Sequence, residues 1–190
     1  STLLTGHDFF GAPRVDASAG RLAVVVWDHP DMPWDASSLV VLPLTRDGHT
    51  LVGDGEPGTV AGGPTESVGQ PDWHHDGALR FVSDRRGWWQ PYVHPGRRNA
   101  PATGEAVALS DAAAEYHGPD WVLGQATMAQ LPDGAVVARQ TASGRDEVVR
   151  LHPGGAPEVV AQPCVSIADL CAHGDGLALI GSTPDAPSNV

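Results

Sequence analysis

The chain has few basic residues for its size. Its 190 residues include 11 Lys and Arg against 23 Asp and Glu, which gives a formal net charge of −12. An excess of negative charge argues against nucleic acid or an anionic membrane as partner. The same excess is common in proteins that need charge only for solubility, so acidity by itself does not identify a partner.

Cysteines, metal-binding patterns and long apolar runs are also scarce. Cys164 and Cys171 form no C-x-x-C pair and are expected to be buried free thiols, and no histidine spacing resembles a zinc site. No metal or cofactor is therefore predicted. Residues 1–6 lack the basic and apolar regions of a leader, and no 18 apolar residues run together. If Ser1 is the true start, the protein is expected to be soluble and cytoplasmic.

Glycine and proline, in contrast, are abundant. The 23 glycines and 17 prolines interrupt helices, so a bundle of long helices is not expected. Because the hydrophobic share of 41% is ordinary for a globular protein, these residues are better interpreted as turns between many short strands than as disorder.

The most distinctive segment runs from Trp27 to Asp35 and reads Trp-Asp-His-Pro-Asp-Met-Pro-Trp-Asp. It follows the apolar run 22–26 directly, so a buried strand leads into an aromatic turn. Pro30 and Pro33 fix their own φ angles and extend the residue before them, which stiffens the turn. The segment is expected to have one shape and a definite place to pack.

Internal repeats divide the chain into four units. Pro71-Asp72-Trp73 recurs 48 residues later as Pro119-Asp120-Trp121, and Ala12-Pro13-Arg14 precedes the first with a spacing of 58. Each unit then has a glycine turn before a hydrophobic strand, because glycine supplies the positive φ that tight turns require. These turns are Ala19-Gly20, Asp76-Gly77, Asp133-Gly134 and Asp175-Gly176.

Four short β segments in roughly 50 residues are typical of one propeller blade. The second unit shows them at 71–75, 78–84, 88–94 and 105–109. The chain is therefore predicted to be all-β, with four-stranded antiparallel blades near 12–61, 70–110 and 118–162 and a partial blade at 165–190.

A ring usually needs at least four blades, so three blades and part of another predict an incomplete ring. Open apolar faces would favour self-association or contact with further blades outside this chain. The alternative is a small four-bladed ring in which residues 1–11 complete the last blade.

Two long motifs and one weaker one carry a family resemblance. They are Gly6-His7-Asp8-Phe9-Phe10-Gly11-Ala12-Pro13-Arg14 with the Trp27 to Asp35 segment, Gly62-Gly63-Pro64-Thr65-Glu66-Ser67-Val68-Gly69-Gln70-Pro71-Asp72-Trp73 continuing to Trp88-Trp89, and Glu115-Tyr116-His117-Gly118-Pro119-Asp120-Trp121-Val122-Leu123-Gly124. Together they resemble the propeller of prolyl oligopeptidase-family serine peptidases, in the branch of acylaminoacyl peptidases and bacterial aminopeptidases. The family's usual Ser-Pro-Asp-Gly turn reads His74-His75-Asp76-Gly77 here.

The resemblance implies an enzyme in which a propeller covers an α/β-hydrolase domain with a Ser-Asp-His triad. No Gly-x-Ser-x-Gly occurs in the 190 residues, so no catalytic residue and no peptidase activity are expected in this chain. Its expected role is to gate access of peptide substrates, with the remaining blades and the hydrolase domain as partners. The alternatives are a non-enzymatic binding scaffold of the TolB or WD-repeat type and a glycosidase propeller with paired acids.

Six residues are predicted to pack within this fold: Trp27, Pro30, Pro33, Trp34, Trp73 and Trp121. Four others are candidates for substrate contact: Glu66, Glu115, Trp88 and Arg85. An enzyme that acts at a free amino end needs an anion for the ammonium, which Glu66 or Glu115 would supply unless they are solvated loop acids.

Trp88 and Trp89 are predicted on a strand and would point to opposite faces, one of them lining a surface. Arg85 would bind a substrate carboxylate, pair with the hydrolase domain, or serve as an internal salt-bridge partner. Asp28, Asp35 and Asp84 lie at strand ends, where capping of turns is expected.

Overall fold

The structure, a computed structural model, describes residues 2–16, 18, 20–96, 105–122, 124–152, 155–174 and 176–190. These residues form sixteen strands in four antiparallel sheets, and they contain no helix. In particular, no helix in these ranges has the length and apolar character needed to cross a membrane. The all-β prediction is confirmed.

The first sheet contains the longest strand. Its strands are β1 (Phe9–Val15), β2 (Arg21–Trp27), β3 (Ser37–Asp47), β4 (Thr50–Gly53) and β5 (Gly58–Gly63). The first half of β3 pairs with β5, and its second half turns back into β4. The aromatic segment that follows Trp27 therefore connects the second and third strands of this sheet.

The second and third sheets each have four strands in sequence order. The second consists of β6 (Val68–Trp73), β7 (Leu79–Ser83), β8 (Gln90–His94) and β9 (Val107–Ala108). The third consists of β10 (Met128–Gln130), β11 (Val136–Ala142), β12 (Arg145–Leu151) and β13 (Glu158–Val160).

The fourth sheet has three strands in the described ranges, β14 (Ser166–His173), β15 (Gly176–Thr183) and β16 (Ala186–Asn189). Three full sheets followed by a shorter one make an incomplete β-propeller, as predicted.

Apolar clusters join each sheet to the next. The first and second sheets share Ala23, Val25, Leu39, Val41, Ala61, Val68, Leu79, Phe81 and Tyr92. The second and third meet around Leu109, Ala114, Tyr116, Val136, Ala138, Val149 and Leu151, and the third and fourth around Val137, Val148 and Ile167. Because successive side chains of a strand alternate between faces, β11 and β12 each contribute to two of these clusters.

The outer face of the first sheet is covered by its own chain. Leu3 packs with Leu51 against the buried Leu22, Leu42 and Leu44. Leu4 packs against Val24, Val26 and Val40. Strand β2 is thus buried on both faces, which explains why residues 22–26 form a continuous apolar run rather than an alternating one.

The predicted start of the third unit is wrong. Its first strand begins at Met128, so Pro119-Asp120-Trp121 lies before the strand rather than in it. By register, Gln130 opposite Val136 takes the place that Trp73 opposite Leu79 has in the second sheet. The 48-residue spacing therefore matches similar residues at different positions in the fold.

The 58-residue spacing does correspond to structure. Ala12 and Gln70, each just before a proline, have φ of 46° and 47° at a register shift in the first strand of their sheets. The turn predictions at Ala19 and Asp175 involve residues outside the described ranges.

Candidate functional site

A cavity of about 340 Å³ lies where the first strands of the four sheets face one another. It is lined by Gly11, Ala12 and Arg14 of β1, Gln70, Pro71 and Asp72 of β6, Met128, Ala129 and Gln130 of β10, and Leu170, Cys171 and Ala172 of β14. Trp27, Pro33, Asp120 and Gln125 also line it. We call this space the central cavity.

One polar wall of the central cavity is held by contacts between sheets. Asp72 accepts a hydrogen bond of 2.9 Å from the Nε2 group of Gln130. Arg80 donates to the Oε1 atom of the same glutamine and, over 3.1 Å, to the carbonyl of Gly134. These bonds fix the second sheet against the third and engage the Asp72 carboxylate.

Several loops of interest lie at one end of the molecule, where the first strands begin. Phe9 pairs with Trp27 and Val68 pairs with Ser83, so the connections 28–36 and 84–89 both extend from this end. Residues 124–127 lead into β10 from the same side. We call this end of the molecule the upper end. Nearly every candidate residue predicted from the sequence lies there.

Glu66 and Arg85 are brought together at the upper end. The Glu66 Oε1 atom lies 2.8 Å from Nη2 and 2.9 Å from Nε of Arg85, and it accepts a hydrogen bond of 2.6 Å from Ser83. The guanidinium also lies over the ring of Tyr92, 4.7 Å from its centre. Of the three roles considered for Arg85, this geometry supports that of an internal salt-bridge partner.

A double-mutant cycle should detect this pair as a stabilising contact. Glu66→Ala, Arg85→Ala and the double variant are expected to give a coupling energy of about 1 kcal/mol in urea unfolding, because both side chains are at least two-thirds buried. The more exposed pair Arg150 and Asp133 is the matched control and should couple more weakly. A coupling no larger than that of the control would contradict the structural role.

Glu115 is engaged by the backbone of another loop. Its carboxylate accepts the N–H group of Trp89 over 2.7 Å, and its backbone pairs with Thr141. Trp88 and Trp89 themselves lie in the loop before β8, so their predicted position on a strand is wrong. Trp88 is 41% exposed, and the ring of Trp89 meets His117 edge-on with centroids 5.1 Å apart.

The tryptophans and prolines that were predicted to pack make different kinds of contact. Trp73 lies under the guanidinium of Arg21 at 4.1 Å, and Trp27 stacks on Phe9 with centroids 5.3 Å apart. The His29-Pro30 peptide bond is cis, and the carbonyl of the buried Pro33 accepts a hydrogen bond from Ser67.

Trp121 is the exception, and its assignment to the core is wrong. Its side chain is 71% exposed, because the segment that carries it precedes the strand instead of lying within a sheet. Its ring contacts that of Trp34 with centroids 4.2 Å apart and a tilt of 41°. The two tryptophans join the aromatic connection of the first sheet to the segment before the third.

A hydrogen-bond network anchors this segment. The backbone N–H of Thr127 donates to Oε1 of Gln70 over 2.8 Å, which turns the Nε2 group of that glutamine toward Nδ1 of His117 at 2.7 Å. Nδ1 therefore accepts, so the histidine proton is on Nε2 and is donated to Asp120 Oδ1 over 3.1 Å. The side chain of His117 is fully buried, whereas that of Asp120 is 25% exposed at the cavity.

Sequence reasoning missed Asp120 as a site residue. The repeat Pro119-Asp120-Trp121 was predicted to open the third blade, and this position would have placed the Asp120 carboxylate in a sheet. Its actual position depends on Gln70 and Thr127, which are 57 residues apart. In the described ranges no group of three or more His, Cys, Asp or Glu residues is arranged to hold a metal ion.

Three solved structures that match this chain are a peptidase and two forms of a hydrolase. A puromycin-hydrolyzing peptidase from Mycobacterium tuberculosis matches 99% of this chain with a TM-score of 0.85 and 32% identity. A puromycin hydrolase, and a serine-to-alanine mutant of puromycin hydrolase complexed with PGG, each match 96% with a TM-score of 0.83 and 29% identity. No protein-family model and no curated protein matches the chain.

These matches cover only part of the solved peptidases. The chain spans 28% of the first and 26% of the second. Within that part, the fold, the identity and the near-complete coverage of this chain agree with the family indicated by the motifs of residues 6–124. The chain is a β-propeller segment of the prolyl oligopeptidase family.

Proposed function

We propose that this chain is the substrate-gating part of a serine aminopeptidase or oligopeptidase whose Ser-Asp-His triad lies outside these 190 residues. The observation that carries the proposal is the 32% identity over 99% of the chain to a puromycin-hydrolyzing peptidase that is more than three times as long. A segment with this relation to a peptidase is expected to serve the same type of reaction. Its partners would be a peptide, the remaining blades and a hydrolase domain.

The central cavity supports a gating role. The cavity lies between the first strands of the four sheets, which is where a propeller has its central channel. A propeller whose channel covers an active site would select substrates by size and hold a peptide in position for a nucleophile supplied elsewhere. The cytoplasmic location expected from the sequence stays a prediction.

Labelling with a fluorophosphonate probe tests this proposal. The longest open reading frame that contains these residues should react with the probe and hydrolyse alanyl p-nitroanilide, while the 190-residue chain alone should do neither. The control is the longer protein with alanine in place of the serine of its Gly-x-Ser-x-Gly motif. A longer protein that is folded but takes up no label would contradict the proposal and favour a binding scaffold.

A second substrate separates the two branches of the family. An aminopeptidase should prefer alanyl p-nitroanilide, whose amino group is free and charged. An acylaminoacyl peptidase should prefer a substrate whose amino group is acetylated. The ratio of kcat/KM for a matched pair of alanyl and N-acetyl-alanyl substrates therefore identifies the branch.

A further inference from the structure

The segment before β10 is attached to the second sheet through one glutamine side chain. The Oε1 atom of Gln70 accepts the backbone N–H of Thr127 over 2.8 Å, and its Nε2 group donates to the Thr127 hydroxyl over 2.6 Å. The same Nε2 group donates to Nδ1 of His117 over 2.7 Å. We call these three bonds the Gln70 latch. They join parts of the chain that are 47 and 57 residues apart.

The direction of each bond in the Gln70 latch is determined by its partners. The backbone N–H of Thr127 can only donate, so Oε1 of Gln70 must face it and Nε2 must face the other groups. The Thr127 hydroxyl accepts from Nε2 and itself donates to the carbonyl of Tyr116 over 2.7 Å. Turning the amide of Gln70 by 180° would place two donors against each other at Thr127. The glutamine therefore offers the ring of His117 a donor and no acceptor.

The ring of His117 is enclosed by three parts of the chain, and its side chain has no exposed surface. Strand β6 approaches so closely that a Cβ atom added to Gly69 would lie 3.2 Å from Nε2. The loop before β8 presents the ring of Trp89, whose backbone N–H binds the carboxylate of Glu115. The segment that follows the histidine presents Asp120, whose Oδ1 atom lies 3.1 Å from Nε2.

A second proton on this ring is incompatible with the Gln70 latch. Histidine is the side chain whose charge ordinarily changes between about pH 5 and 8. In His117 the free position for a second proton is Nδ1, the atom that accepts from Gln70. A protonated Nδ1 is a donor that faces another donor, so this bond is lost and the two N–H groups repel each other. The contact with Asp120 is kept and becomes a contact between opposite charges.

Loss of the latch acts on one wall of the central cavity. Asp120, Gln125 and Ala126 line the cavity, and so does Gln70. Ala126 is also bonded to Asp169 of β14 over 2.6 Å, so the segment stays attached to the fourth sheet when its bonds to the second are lost. The expected change is therefore a local loosening of this wall and not a separation of the sheets.

We infer that the Gln70 latch is a pH-sensitive device, closed while the ring of His117 is neutral and opened when Nδ1 takes up a proton from the solvent. The two states differ in whether the second sheet holds the segment that leads into β10. The inference involves neither a peptide nor a catalytic step, so it goes beyond the proposed function and does not depend on it.

Hydrogen exchange of the 190-residue chain, followed by NMR, tests the latch. The protection factor of the Thr127 N–H, corrected for the intrinsic pH dependence of exchange, should fall at least about fivefold between about pH 7.5 and about pH 5, because its acceptor is Gln70. The N–H of Leu131, which is bonded to the carbonyl of Ala135, is the internal control and should keep its protection. The ¹⁵N shifts of the His117 ring should show a proton on Nε2 alone at the higher pH and on both nitrogens at the lower.

Three variants assign the effect. His117→Asn keeps an acceptor for Gln70 but takes up no proton, so Thr127 should be equally protected at both pH values. Gln70→Glu replaces the donor with a second carboxylate oxygen, which accepts from a protonated ring, so the fall should be absent. His29→Gln changes an exposed histidine outside the latch and should behave as the wild type.

Equal protection of Thr127 at the two pH values in the wild type would overturn the inference. A fall that persists in His117→Asn or in Gln70→Glu would also overturn it, because the proton would then act elsewhere. The same holds for a fall that Leu131 shares, which would assign the effect to the third sheet as a whole. If His117→Asn does not fold, Gln70→Glu decides the outcome. None of these results changes the expected fluorophosphonate labelling of the longer protein, so the peptidase proposal is tested separately.

Discussion

Replacing Asp16 with alanine is expected to lower the free energy of unfolding by about 3 to 5 kcal/mol, because the change removes the carboxylate that lies against a buried arginine. Asp16 is 6% exposed and Arg21 is 4% exposed, and the carboxylate lies 3.0 Å from the Nε atom. The same carboxylate accepts hydrogen bonds from Ser18 and from the N–H group of Gly20. Urea unfolding followed by circular dichroism measures the loss.

The effect should extend beyond the turn that contains Asp16. Arg21 also donates to the carbonyl of Gly77 over 3.2 Å and covers the ring of Trp73, both in the second sheet. Removal of Asp16 therefore weakens a contact between two sheets. The exposed Asp47 is the matched control, and Asp47→Ala should change stability by no more than about 0.5 kcal/mol. An equal effect of the two substitutions would contradict a buried ion pair.

The same pair gives a pH dependence with a definite sign. Burial by itself would raise the pKa of Asp16, but hydrogen bonds from Arg21, Gly20 and Ser18, together with the charge of Arg21, hold that pKa below the ordinary value. A group with a lowered folded-state pKa stabilises the protein above its unfolded pKa and loses this contribution as pH falls. The free energy of unfolding should therefore decrease below about pH 4, and by less in Asp16→Asn.

Much of the fold could be predicted because its signals are local. The apolar run 22–26, the glycines of the turns at Gly77 and Gly134 and the proline motifs at Ala12 and Gln70 each act within a few residues. They specify strands and hairpins without knowledge of distant partners.

The start of the third unit could not be predicted in this way. Pro119-Asp120-Trp121 has the composition of the motif in β6, but a strand is defined by its pairing. In the second sheet Asp72 pairs with Arg80, whereas in the third sheet the pairing begins only at Met128. A motif match carries no information on register, so the motif at 119–121, which was predicted to open the third blade, lies before the strand.

The candidate site shows the same limit. Glu66 and Arg85 both stood out in the sequence, but only their contact shows that each is engaged by the other. Asp120 became a candidate through the bonds that place it at the cavity. The orientation of the His117 ring decides which ring nitrogen faces the Asp120 carboxylate, and no sequence pattern encodes that orientation.

Phe81→Ala is the second substitution with a large expected effect, a loss of about 3 to 5 kcal/mol. The side chain is fully buried between the first and second sheets, and its ring stacks on that of Tyr92 with centroids 5.7 Å apart. Truncation removes the burial of the ring and leaves a cavity among Val25, Leu39 and Leu79 that rigid strands cannot fill. Urea unfolding again measures the loss.

Two controls separate the packing of Phe81 from a general effect of substitution. Phe81→Leu keeps most of the volume and should lose about 1.5 kcal/mol or less, while Val107→Ala, at a side chain that is 53% exposed, should lose no more than about 0.5 kcal/mol. Because the cluster joins two sheets, unfolding seen by tryptophan fluorescence and by circular dichroism should coincide in the wild type. If Phe81→Ala separates the two transitions, the interface is the element that makes the first and second sheets unfold as one unit. A loss as small as that of Val107→Ala would mean that the sheets do not pack through this residue.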